Sequence, residues 1–427
     1  QLNIFRQGCY TLILILSHRL FMLFQTLDDK TECVGIYADN KLLFDVGDFP
    51  EGLKSTWSYS PYLRGMDIDY ASLYLEGEDL SGNIPEFLRD DWSDVSERIL
   101  AFRRSLQISK VNQDENCFFD LVPERFLKDF CEVKNNITKH ILKTVPKPKR
   151  YDYHKHVSML LGDIACQPVT VDRKKLSSYL TSKKLGNQAR AMMECSPYVR
   201  YNQFGTVTGR LTTKKNSFPI LTLNRSLRHA IKPQNDYFLE LDFNGAEVRT
   251  LLGMLGSPQP VNDVHDFHLT NVFNSLVSRE QAKTLFFSWL YGSRQMAASA
   301  EGKKLESFYE RSKLLDKFYC DSTVTTPFGK VINDVDKHLA LNYLVQSTTA
   351  ELTLKQALKI DYLLRRDGTG STIAFLIHDA IVLDLKNEDE WLLPSIKKLM
   401  ASTNFGNFII NTKSGKTLGS LRDIKIG

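Results

Sequence analysis

Two aspartates stand where an acid can do chemistry. Asp242 follows the apolar run Tyr237-Phe238-Leu239 and precedes a helix-like stretch with Glu247, Val248, Arg249, Leu251 and Leu252, so it sits where strand becomes helix. Asp379 lies between Ile373 to Ile377 and Ile381 to Leu385, two runs rich in β-branched residues. A tight hairpin joining them presents Asp379 at its tip. A lone acid at a strand end is more often a helix N-cap than a catalyst. Two acids on paired strands are a different matter, because together they can hold two divalent ions about 3.5–4 Å apart that clamp the attacking and leaving oxygens of an in-line phosphoryl transfer. Mg²⁺ suits the role, since it takes oxygen ligands and keeps waters for substrate phosphates.

A second constellation is Arg279, Lys283, Phe287 and Tyr291, four residues apart in series and followed by Gly292. On a helix they form one stripe, two cations and then two aromatics, roughly 18 Å long. It can grip a triphosphate at one end and stack a base and sugar at the other. Leu285, Trp289 and Leu290 mark the opposite, core-facing side. An amphipathic surface helix with incidental charges has the same pattern.

These residues need elements to carry them, and 427 residues with 42% hydrophobic content can bury a sizeable core in about two to four domains or one multi-lobed one. Short β-rich runs (Phe21–Phe24, Cys33–Tyr37, Leu42–Phe44) separated by polar turns predict a small N-terminal sheet. Val95, Ile99, Phe102 and Leu106 predict a helix behind Asp91 and Ser93, and another is expected from Pro123 to Leu142. Pro146-Lys147-Pro148-Lys149 reads as an extended charged connector. Net charge is +5, yet Lys134 to Lys215 holds 17 lysines and arginines against 4 acids. Such a block is either a solvated face or the footprint of a polyanion. The 7 cysteines are scattered without metal-ligand spacing, which predicts reduced, mostly buried thiols and fits the cytosol. Cys9 to Phe24 is apolar, but Ser17, His18 and Arg19 interrupt it, so core strands rather than a membrane span are expected.

Taken in order, residues 198 to 390 resemble the family A DNA polymerases, the group of bacterial DNA polymerase I and the replicative polymerases of short-tailed phages. Thr208-Gly209-Arg210-Leu211 is similar to that family's T-G-R-L segment, and Asp242-Phe243-Asn244-Gly245-Ala246-Glu247-Val248-Arg249 to its motif A. Arg279 to Gly292 fits R-x3-K-x3-[F/Y]-x3-Y-G of motif B at every spacing, and Ile377-His378-Asp379 resembles motif C. The resemblance implies an α+β right-hand polymerase with a palm sheet, helical fingers and a helical thumb. It implies that Asp242 and Asp379, with the Phe243 carbonyl, bind two Mg²⁺ ions, Mn²⁺ being a substitute. Arg279 and Lys283 hold the triphosphate, Lys283 also donating the proton to leaving pyrophosphate. His265, in Asp263-Val264-His265, touches phosphate; Glu247 excludes a ribose hydroxyl; Phe287 and Tyr291 line the nucleotide pocket. Arg210, Asn342 and Gln346 probe the minor-groove edge of the primer terminus, and His378 and Arg249 complete the DNA-binding set. Outside that frame, the histidines read as satisfied core residues, the amides as helix-surface groups and Arg210 as a turn cation.

The same frame assigns 1–90 to a small β-rich element, an exonuclease remnant or docking piece, and 91–200 to the thumb. Residues 201–262 fall to the palm, 263–340 to the fingers and 341–427 to the palm again. Fewer than 95 residues precede the helical block, against about 180 for the family's proofreading domain, and Asp67-Ile68-Asp69 is the nearest imitation of its D-x-E strand. No 3′–5′ exonuclease is therefore expected. Expected partners are primer–template DNA, deoxynucleoside triphosphates and a processivity or replisome protein, with no membrane. The short layout points to a phage or other mobile element acting in the host cytoplasm. Four residues depart from the family pattern: Gly245 replaces Gln, Ala380 replaces the Glu after Asp379, His338 stands upstream of Asn342 where Arg is common, and Phe287 stands in place of Tyr. Two rivals stand beside this reading: a single-subunit RNA polymerase, against which Glu247 and Phe287-Ser288 argue, and a catalytically silent DNA-binding scaffold, which Ala380 favours.

Overall fold

The computed structural model describes residues 22–77, 80–112 and 115–426. Of the stretch Cys9 to Phe24, only Met22 to Phe24 fall among them, as the start of a strand; the rest of that expectation lies outside the described residues. The chain divides into two compact units, 1–166 and 167–427.

In the first unit the strands β1 (Met22–Asp29), β2 (Glu32–Ala38), β3 (Lys41–Leu43), β4 (Leu53–Thr56) and β5 (Asp69–Tyr70) form a sheet of order β3-β2-β1-β4-β5. β1, β2 and β3 pair antiparallel, while β4 runs parallel to β1 and β5 to β4. The β2–β3 turn is the polar pair Asp39-Asn40, both at positive φ (48° and 58°), the conformation whose twist matches a two-residue hairpin. Three helices follow: α1 (Arg89–Ile108), α2 (Glu124–Thr144) and α3 (Tyr151–Ala165). α1 begins before the expected Asp91 and Ser93 stop, and Leu88 at its cap offers no side chain. Asp90 and Asp91 instead lie in its first turn, where acids favour the positive end of the helix dipole.

α2 packs with the N-terminal sheet within the same compact unit. Cys131 of α2 lies in one core cluster with Leu27 of β1 and Tyr37 of β2, and Gln25 donates to Asn135 Oδ1 (2.8 Å) and Thr138 Oγ1 (3.2 Å). The boundary at 166/167 falls within the 91–200 span. It also divides the cationic run, some of whose charge is answered locally: Lys155 faces Asp67 at 3.4 Å and Lys147 faces Asp69 at 3.6 Å. Asp67 and Asp69 thus sit in surface ion pairs. Cysteine burial also differs from expectation: Cys131 is buried, Cys33, Cys117, Cys166 and Cys195 are half-buried, and Cys320 is exposed, all as free thiols. No helix among the described residues is long and apolar enough to cross a membrane.

The second unit is built on the strand β6 (Tyr237–Phe243) and the helices α4 (Ala246–Met254), α5 (Val264–Asn271), α6 (Arg279–Leu290) and α7 (Ala340–Arg366). The hairpin β7 (Thr372–Ile377) and β8 (Ala380–Leu385), then α8 (Leu393–Ala401), β9 (Ile410–Gly415) and β10 (Arg422–Asp423), complete its frame. The sheet order is β7-β8-β6-β9-β10, antiparallel throughout. β6 alternates in burial from Leu239 on, with Leu239, Leu241 and Phe243 buried and Glu240 and Asp242 half-buried, Phe238 is buried on the other face, and every residue of β8 is buried. α7 crosses a core containing Leu341, Leu344 and Val345, which also takes in Phe286, Trp289 and Leu290 of α6.

Gly245 has a physical reason to be glycine here. It caps α4 in the left-handed region at φ 68°, and a Cβ at this position would overlap Val264 Cγ2. Gly245→Ala is therefore expected to destabilise the second unit by about 1–3 kcal/mol. Urea unfolding of the single variant and of Gly245→Ala with Val264→Ala measures this; the double variant should regain the steric part and retain the backbone strain.

Candidate active site

β6 and β8 pair with Asp242 directly opposite Ala380, and Ile377 pairs with Ala380 across the β7–β8 turn. His378 and Asp379 are thus the two residues of the hairpin tip, His378 turning the chain at φ 55°. One residue of register sets Asp379 beside Asp242. On the other side Asp242 faces Asn411 of β9, whose amide hydrogen-bonds it. Burial, then repulsion from Asp379 and Glu240, pushes the Asp242 carboxyl up to about 6, with Asn411 and Lys413 pulling the other way. Burial also raises Asp379, against the pull of Arg210 and His378. Two partly desolvated carboxyls that disfavour each other's charge are a site that a hard divalent cation would relieve. Among the described residues, no three His, Cys, Asp or Glu side chains gather around one point, so such an ion would complete its shell with water and substrate oxygens. Phe243 follows in the chain, its ring buried against Phe408 at 5.5 Å.

Glu247, in the first turn of α4, is buried and ties together two other expected residues. Arg210 Nη2 pairs with its Oε1, and Tyr291 Oη donates to its Oε2 at 3.3 Å. Burial raises Glu247, and Arg210 offsets this. Gly209, Arg210, His378 and Asp379 line one small cavity with Thr353 of α7. The T-G-R-L loop, the motif A helix and the hairpin tip therefore converge. Asn342 and Gln346 lie one turn apart on α7, half-buried, the Asn342 Oδ1 buried without a hydrogen-bond partner among the described residues.

α6 begins at a capping box, Ser278 with Gln281, a signal readable as S-x-x-Q. It ends one residue short of the expected stripe: Tyr291 is its C-cap, 43% exposed, and Gly292 turns away at φ 80°. Phe287 and Tyr291 lie 5.6 Å apart by ring centres, and His265 lies 5.9 Å from Phe287. The core side of α6 also contains Ala282 and Phe286, which the spacing argument passed over. Lys283 is exposed. Arg279 is bound to Asp263 through two nitrogens, Nε to Oδ1 at 3.1 Å and Nη2 to Oδ2 at 2.8 Å. Burial alone would raise Asp263, but hydrogen bonds from Arg279, Asn244 and the N–H groups of Asp266 and His265 hold it well below the usual carboxylate range. Burial lowers His265 to about 4 and its neighbour His268 to about 3, so both rings are neutral near pH 7.

Arg249 requires correction. It has no exposed surface; its Nε donates to Asn244 O (2.7 Å), Nη1 to Pro260 O (2.8 Å) and Nη2 to Asn262 O (3.0 Å). It clamps the loop before α5 to the turn after Asp242 and cannot touch a duplex in this arrangement. Sequence reasoning gave no role to Asn244, which bridges Asp263 (3.2 Å) and the Val264 N–H (3.3 Å), or to Asn411. Asp-x-x-Asp at 263–266 carries an N-cap signal, whereas Asn411 reaches Asp242 only through a long-range strand pairing with no local trace.

Comparison with known proteins shows the fold. The structure is similar to that of the POL domain of Pol1 from M. smegmatis in complex with DNA primer-template and dNTP, with a TM-score of 0.65, 12% identity, and coverage of 96% of this chain and 98% of that one. The fold is that of a polymerase domain. No protein-family model matches the sequence, and no curated protein does.

Because the folded-state Asp242 carboxyl lies above its unfolded value of about 3.9, the unfolded chain binds fewer protons between the two values. Stability without divalent ions is therefore expected to fall as pH rises from about 4 through about 6. Urea midpoints across this range, compared with Asp242→Asn, check the sign; the variant should show a shallower slope, the remainder coming from the other raised carboxyls such as Asp379 and Glu247.

Proposed function

We propose that this chain is a template-directed DNA polymerase module of the family A type, lacking a working 3′–5′ exonuclease. The observation that carries the reading is the β6–β8 register, which sets Asp242 beside the hairpin tip bearing Asp379. Mg²⁺ ions held by Asp242, Asp379 and the Phe243 carbonyl, with Mn²⁺ as a substitute, would neutralise charge on the attacking primer oxygen and the leaving pyrophosphate. Arg279 and Lys283 bind the triphosphate, and Lys283 gives a proton to the leaving group. His265, neutral and half-enclosed by aromatic rings, donates to phosphate rather than adding charge.

Glu247 excludes a ribose 2′-hydroxyl, and its pairing with Arg210 and Tyr291 fixes the carboxylate where the sugar must pass. Phe287 and Tyr291 supply the aromatic wall. Arg210, Asn342, Gln346 and His378 contact the primer–template, the buried and unanswered Asn342 Oδ1 being a polar group in want of a partner. Absence of proofreading follows in this reading from β1, which holds no D-x-E pattern, its acids Asp28 and Asp29 standing at its end, and from Asp67 and Asp69, which are engaged by lysines. A cytoplasmic site of action and a processivity partner belong to the same reading.

Extension of a labelled primer–template with Mg²⁺ tests it. Asp379→Asn and Asp242→Asn are expected to lower incorporation by at least about 10³-fold with duplex binding retained, and Glu247→Ala to admit ribonucleotides. Duplex binding with no incorporation by the parent chain would establish the silent-scaffold alternative instead, and equal use of ribonucleotides by the parent would establish an RNA polymerase.

A further inference from the structure

Arg279 and Lys283 occupy successive turns on one face of α6, yet they are not equally available. Lys283 is exposed and has no carboxylate partner among the described residues. Arg279 presents the Nε and Nη2 edge of its guanidinium to both oxygens of Asp263, and its Nη1 to Glu280 Oε1 at 2.8 Å. This two-pronged edge is the one through which arginine also binds phosphate. Asp263 is itself rigidly placed. Its Oδ1 accepts the N–H groups of His265 (2.9 Å) and Asp266 (3.2 Å), capping α5, and its Oδ2 accepts Asn244 Nδ2 at 3.2 Å. Asn244 is two residues beyond Asp242, with its own backbone carbonyl held by the buried Arg249.

The pair is also reachable by solvent: the Arg279 side chain is 42% exposed and that of Asp263 23%. A partly exposed ion pair of this kind is weak enough to be exchanged by a competing anion. Releasing Arg279 from Asp263 costs the same for any anion that takes its place, so the pair lowers the affinity of every ligand that uses this edge.

We propose that Asp263 is a built-in competitor for the phosphate-binding edge of Arg279, and that it loosens the hold of this edge on any phosphate ligand and so eases its release. This rests on the reading of the α6 stripe as the triphosphate cradle and extends it by naming the residue that sets how tightly the cradle holds its ligand. Asn at 263 keeps an oxygen to cap α5 and removes the charge, which separates competition from scaffolding.

The test is calorimetric titration of the full chain with inorganic tripolyphosphate and with inorganic monophosphate, together with the nucleotide KM and kcat for extension. Asp263→Asn is expected to tighten binding of both anions by a similar factor, about two- to fivefold. KM for the nucleotide should fall while kcat changes less. In the Arg279→Ala background, Asp263→Asn should have no effect on either anion. Weaker or unchanged tripolyphosphate binding by a folded Asp263→Asn chain, or the same gain with Arg279 absent, overturns the proposal, as does failure of Asp263→Asn to bind tripolyphosphate at all. If the anion pattern is as expected but no primer is extended, the polymerase reading fails and the Asp263 competitor stands.

Discussion

The second unit depends on one ladder of hydrogen bonds, the antiparallel pairing of β6 with β8. A shift of one residue would turn Leu239 and Leu241 out of the core and carry Asp242 to the opposite face, because side chains alternate along a strand. The register is fixed by burial on both sides: β8 is enclosed along its whole length, and β6 is held again by β9. That redundancy tolerates a costly feature. Two carboxyls are kept close in a partly dry setting, where each raises the work of ionising the other, and His378 is bent into a conformation that only a few residue types adopt readily. Local strain of this kind survives only where the surrounding sheet over-determines it.

The cationic side is organised differently, by polar groups rather than apolar ones. Arg249 has no exposed surface, yet its nitrogens end on main-chain carbonyls from the turn after Asp242 and the loop before α5. A buried charge answered by fixed dipoles in this way costs far less than an unpaired one. The result is a stiff link from Asp242 through Asn244 to Asp263 and so to the first turn of α6. His265 and His268 beside it stay neutral because burial disfavours their charged forms, and the Nε2 of His268 shares a hydrogen bond with Tyr309 Oη. The positive charges that α6 itself brings to this corner are those of Arg279 and Lys283.

The first unit joins a mixed sheet to three helices through an apolar seam and one buried amide cluster, Gln25 with Asn135 and Thr138. Two lysines of the cationic run, Lys147 and Lys155, are answered by acids of that same unit. Charge counted along a sequence thus overstates charge offered to a partner, because folding pairs residues far apart in the chain.

Local signals in the sequence determined a good deal. The strand and hairpin around Asp379, the helix through Arg279 to Leu290, the β-turns of the N-terminal sheet and the placing of Asp242 at a strand end all follow from periodicity, β-branching and turn residues within short windows. What tertiary structure alone decided were the relations between windows. The pairing of α2 with the N-terminal sheet, the burial of Arg249, the capture of Arg279 by Asp263 and the approach of Asn411 to Asp242 connect residues whose neighbours give no hint of one another. Propensity is a property of adjacent residues, whereas register, burial and charge pairing are set by which surfaces meet once the chain has closed on itself.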